Sequence, residues 1–158
     1  SYSLYQELVD RYAAAQVDGR WGEVRREAMA LLKREAELED VVRLVGIDSL
    51  SAADRLLLEG AKMVREDFLH QNAFDKQDAY TSLAKQFRLL DLVLSYHRMG
   101  KEALLRGAPL DRLLALPVKD RIGRAKAVPE ESLSEFTALG EELARQVEEA
   151  VAAGRDAA

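Results

Sequence analysis

Cysteine is absent from these 158 residues, histidine occurs twice and proline three times. Without cysteine there can be no disulfide framework, thiolate nucleophile or zinc knuckle, and a reducing compartment such as the cytoplasm is the natural setting. An excess of basic charge is lacking too. Twenty-three basic residues face 28 acidic ones, the signs are interleaved, and the net charge is −5. A nucleic-acid or anionic-membrane surface calls for a basic patch, so protein partners fit better and nucleic acid does not. Long apolar runs are missing as well. The longest, around "LLDLVLSY", is far too short to cross a bilayer, and no basic-then-apolar leader opens the sequence, so a soluble chain with no direct membrane insertion is expected.

Chemical motifs are just as sparse. No GxxxxGK[ST] loop or GxGxxG turn offers backbone amides to a phosphate. His70 and His97 come with no HExxH or EF-hand spacing, so no metal site is expected and both read as surface or internally satisfied side chains. No GxSxG elbow presents a serine. Glu66/Asp67 and Glu141/Glu142 are sequence neighbours that diverge on a helix and read as solvated. Arg121, Arg124 and Lys126 form a modest basic cluster that reads as a solvated turn. No catalytic residue is assigned.

What the chain has in quantity is helical periodicity. Val24, Ala28, Leu31, Leu38, Val41 and Val45 recur at helical steps with one polar interruption at Glu35. Leu57, Ala61, Val64 and Phe68 form a second stripe; Leu83, Phe87, Leu90 and Leu94 form a third. "LDRLLAL" after Pro109 gives a short helix stopped at Pro117. Pro129 suits a first helical turn, and Leu133, Phe136, Leu143, Val147 and Val151 continue a helix ending at Gly154. A shorter helix is expected over residues 2–16, before the "VDGRWG" break. No alternation supports a sheet, so the class is all-α, a bundle of about five to six helices.

One stretch, "GIDSLSAADRLLLEGAKMVREDFLHQNAF", holds a turn, a helix and an amide-rich ending. Gly46 stands where a left-handed C-terminal cap is wanted, and Ser51 with Asp54 gives an S-x-x-D helix start. Three residues beyond Phe68 the apolar face meets Gln71, and Phe74 follows past the helix end. Read locally, a cap at Asn72 and packing of Phe74 account for this ending.

The longer run "LEDVVRLVGIDSLSAADRLLLEGAKMVREDFLHQNAFDKQDAYTSLAKQFRLLDLVLSYH" resembles the C-terminal helical domain of the catalytic A subunit (alpha chain) of archaeal and bacterial A/V-type rotary ATP synthases. The resemblance extends to "SYSLY" and "LPVKDRIGRAK". There is a more distant likeness to the beta subunit of F-type synthases. "LVGIDSLSAAD" falls where that family has its acidic "DELSEED" helix-turn-helix, and "QNAF" falls at a "QPFF"-like segment. The resemblance implies that Asp48, Ser49, Leu50, Ser51 and Asp54 belong to a lever that leans on the central rotor stalk. Ser49, Ala52 and Ala53 stand where acidic residues would be, which favours shape and packing over charge. It also implies that Phe74 lies against the adenine and Gln71 near its polar edge.

On that resemblance, residues 1–158 form a single C-terminal helical domain, inert alone. The phosphate loop, catalytic carboxylate and magnesium ligands would belong to a central domain preceding Ser1. The partners implied are the B subunits of the hexamer, the central stalk and ATP or ADP with magnesium, in a complex peripheral to the plasma membrane that moves protons or sodium ions. A free-standing helical interaction module and the corresponding domain of a non-catalytic B subunit are the alternatives, and "HQNAFD" argues against both.

Overall fold

The computed structural model describes Leu4, residues 20–69 and residues 82–157 of the chain. Among these described residues there is no strand, and the helices form the expected all-α bundle. Helix α1 spans Trp21–Val45 and is followed by a 3-10 turn, Ile47–Ser49. Helix α2 spans Ala52–Met63 and runs into a π-helical stretch, Val64–Leu69. Helix α3 covers Leu83–Leu105, α4 Leu110–Leu114, α5 Val118–Gly123 and α6 Ser134–Ala157. The helix expected over residues 2–16 lies, apart from helical Leu4, outside the described residues.

Helix α3 packs against α6, α2 and α1, so it forms the spine of the bundle. Leu90 and Leu94 of its stripe are buried, as are Leu143, Val147 and Val151 of α6, Leu56 of α2 and Val24 of α1. Each such side chain removed from water contributes roughly 1.5–3 kcal/mol. Polar pairs reinforce the same contacts. Arg98 of α3 bonds Glu27 of α1 at 2.8 Å and Asp91 at 2.9 Å. The side-chain oxygen of Gln146 in α6 accepts from the backbone N–H of Val118 at 3.0 Å, satisfying a donor that the start of α5 would otherwise leave open.

Several details depart from the sequence reading. The second stripe does not stay α-helical: from Val64 onward the turns widen to π-helix. Helix α5 has too few residues to show a period. Pro129 does not open the last helix; its ψ is 151°, and Glu130–Ser132 is a separate 3-10 turn before α6. The Glu130 carboxylate there accepts from the N–H and hydroxyl of Ser82 at 3.0 and 2.6 Å, which anchors the start of α3. Gly154 does not end α6, which continues to Ala157. Its lack of a side chain serves a close approach instead, since a Cβ there would lie 2.0 Å from the carbonyl oxygen of Gly107.

Candidate functional site

The turn between α1 and α2 is built locally. Gly46 has φ +89° and ψ 159°, a positive-φ conformation outside the left-handed helical basin and open in practice to glycine alone. Its N–H still donates to Val42 O at 2.8 Å, so the helical ladder runs to its end before the chain veers. The Ser49 hydroxyl donates to Gly46 O at 2.6 Å, and Leu50 N donates to Ile47 O at 3.1 Å. Ser51 then caps α2, its hydroxyl accepting from Asp54 N at 3.1 Å, the S-x-x-D start expected from the sequence. Such a cap stabilises by about 0.5–2 kcal/mol. Asp48, Ser49 and Ser51 are exposed; Leu50 and Asp54 are half-buried. Asp54 sits 3.8 Å from the Arg34 guanidinium, too far for a hydrogen bond.

The structure adds residues that the periodicity assigned to the core or passed over. The inward stripe of α1 ends at Leu38, and no residue from 39 to 45 is buried. At 1.5 Å per residue, roughly 10 Å of helix stands beyond its last core contact. Val41 and Val45, read as core-facing, are solvent-exposed. With Leu44 at 85% and Ile47 at 47% exposure they make an apolar tip around the turn.

Behind the tip, Glu35 is not an interruption of the apolar stripe but part of its buried face, at 7% exposure. It accepts a forked set of bonds from Arg65 of the π-helical stretch, Nε at 3.0 and 3.1 Å and Nη2 at 2.9 Å. Bidentate charge-assisted bonds of this kind are among the stronger polar contacts in proteins. A cleft of about 500 Å³ lies between the helices above this pair, lined by Val42, Ile47, Arg55 and Leu58 among others.

Gln71 and Phe74, the adenine-side pair, lie outside the described residues, as does His70. The π-helical stretch precedes them in sequence, with Val64 buried and Phe68 half-buried against the core. His97 is buried and not at the surface; burial, then the Lys101 charge, lowers its pKa to about 4. Asp67 departs from the solvated reading. It is half-buried, and burial, then the Glu66 charge, pushes its pKa up to about 6. Glu142 is held by Arg145 and Gln146, which lower its pKa to about 2. Of the basic cluster, Arg121 on α5 and Arg124 are exposed, whereas Lys126 departs from the solvated reading: it is half-buried in a 3-10 turn, Ala125–Ala127, and its carbonyl accepts from the Lys85 ammonium at 2.6 Å. Among the described residues no three His, Asp or Glu side chains gather as a metal ion would need, and no helix is long and apolar enough to cross a membrane.

Comparison with known proteins matches residues 10–113 to the C-terminal domain of V and A type ATP synthase, and the chain belongs to that family. The matched stretch takes in both the turn at 48–54 and the segment holding Gln71 and Phe74. The V-type ATP synthase alpha chain of Acetivibrio thermocellus is 47% identical over 153 residues, which cover 96% of this chain and 26% of that one. The alpha chain of Clostridium perfringens is 48% identical over 154 residues, covering 98% and 26%. That of Thermoanaerobacter pseudethanolicus is 45% identical over 154 residues, with the same coverage. The chain thus spans about a quarter of the length of the curated relatives it matches, and its counterpart is the C-terminal part of the alpha chain.

Proposed function

We propose that this chain serves as the rotor-facing and adenine-facing part of the catalytic alpha subunit in a rotary ATP synthase. Asp48, Ser49, Leu50, Ser51 and Asp54 form the turn that bears on the central stalk. Gln71 and Phe74 wall the adenine side of the nucleotide site, while the phosphates and magnesium are held by another domain of the same subunit. The parent complex, with B subunits completing its ring, couples ATP hydrolysis or synthesis to proton or sodium transport from a cytoplasmic, membrane-peripheral position.

The observation that carries this reading is the apolar tip. Leu44, Val45 and Ile47 stand exposed on helix that extends past the core, around a turn stiffened by its own hydrogen bonds. A helix end exposes such residues at a cost in solubility, and a partner surface that covers them offsets it. The tip also accounts for the scarcity of acidic residues in the turn, since contact by shape and apolar burial needs none. Replacing Leu44 and Ile47 together by serine in the full alpha subunit tests this. Stalk affinity in the assembled head should fall by about tenfold or more, the scale of losing one to two anchor residues. The subunit's thermal stability should barely change, because neither residue is buried. Unchanged stalk affinity would count against the contact.

A further inference from the structure

We infer that Glu35 and Arg65 are positioning residues of this lever: their ion pair is the strut that makes α1, the turn and α2 move as one body. The inference rests on the proposed contact between the turn and the stalk. Glu35 lies one helical turn before Leu38, the last buried residue of α1, and so sits at the foot of the protruding arm. Arg65 lies at the opposite foot, just inside the π-helical stretch. The three bonds between them join residues 30 apart in sequence across the base of the hairpin. The other link between the two helices, Arg34 to Asp54 at the start of α2, closes only to 3.8 Å between exposed and half-buried groups, and solvent weakens it.

A load at the tip pries α1 and α2 apart at their base. Apolar contacts such as those of Leu38 resist compression but slide under shear, whereas a planar guanidinium on a carboxylate has one preferred geometry. Separating the pair would also leave the Glu35 carboxylate buried without its counter-charge, which makes the splayed hairpin a poor alternative. The hairpin therefore keeps its shape as it tilts, and displacement at the turn reaches the π-helical stretch, which precedes Gln71 and Phe74 in the sequence. Arg65 is itself half-exposed, at 46% for its side chain, so its replacement removes a tether with little loss of core.

The test uses heads assembled from full alpha subunits and B subunits, with magnesium ADP as the probe and its affinity measured with and without the central stalk. Arg65→Met should leave the affinity of the stalk-free head unchanged. The change that stalk binding imposes on that affinity should shrink by about 2- to 30-fold, the range reported for residues that carry coupling between sites. Arg65→Lys keeps the charge but not the fork and should give a smaller loss. Glu35→Gln, which keeps the shape of the acceptor, should reproduce the defect, and it serves if Arg65→Met fails to assemble. A stalk-induced change that persists in full in both Arg65→Met and Glu35→Gln overturns the strut. If the stalk alters nucleotide affinity in neither the wild type nor the variants, and the turn makes no contact with it, the lever reading falls and takes the inference with it.

Discussion

The phenol of Tyr96, fully buried in the middle of α3, donates a 2.7 Å hydrogen bond to the backbone carbonyl of Leu113 in α4. Helix α4 has five residues, so its last carbonyls find no partner within the helix. Tyr96 satisfies one, and the Lys119 ammonium satisfies the next by bonding Leu114 O at 2.7 Å. Tyr96→Phe keeps the ring and strands a buried acceptor. The folded state should lose about 1–3 kcal/mol, measured by denaturant unfolding of the domain. A loss near zero would mean that the carbonyl finds another donor.

Asp67 gives a pH signature. Folded, it holds its proton up to about pH 6; unfolded, it releases it near the ordinary value of 3.8. The group therefore favours the folded state fully below the unfolded value, and that contribution disappears as the pH rises through 6. Asp67→Asn, which removes the buried charge, should raise the melting temperature at pH 7 to 8 and leave it unchanged at pH 4. Parallel melting curves across that range check it, and a gain that is the same at every pH would contradict the assignment.

Phe74→Ala in the assembled complex should weaken nucleotide affinity by roughly 5- to 150-fold, taking about 1–3 kcal/mol for an aromatic ring stacked on a base. The saturated rate should change less than the substrate concentration needed, because the role proposed for Phe74 is at the base and not at the phosphates. Phe74→Tyr should cost little. If the ring merely packs, the alanine change will instead destabilise the subunit by about 3–5 kcal/mol and leave affinity alone.

Where one face of a helix meets the core, the sequence was legible. The stripes through Leu90 and Leu94 and through Leu143, Val147 and Val151 are buried as their spacing requires. So is the start of α2, because Ser51 and Asp54 form a local device that owes nothing to tertiary packing. Three kinds of feature were not legible. Val41 and Val45 continue the stripe of α1 in perfect register, but the register does not say where the core ends, and they fall past its edge. The role of Glu35 depends on Arg65, 30 residues away, and a polar residue in an apolar stripe looks the same with or without its partner. Gly154 reads as a stop, and only the approach of the Gly107 carbonyl explains it within a continuing helix. The candidate site divides along the same line: the turn at 48–54 is visible as a turn in its residues, while its apolar surroundings emerge only from exposure.

The contact between turn and stalk is the claim on which the rest depends, and disulfide trapping reaches it directly. These 158 residues hold no native cysteine. A single cysteine at Ser49, exposed at the crest of the turn, would be paired with cysteines placed along the central stalk in the complete complex. The expected result is rapid oxidative crosslinking at a narrow set of stalk positions, with ATP-driven rotation blocked and restored on reduction. If Ser49→Cys crosslinks to no stalk position in any nucleotide state, while the same stalk cysteines react with other subunits, the turn does not bear on the rotor.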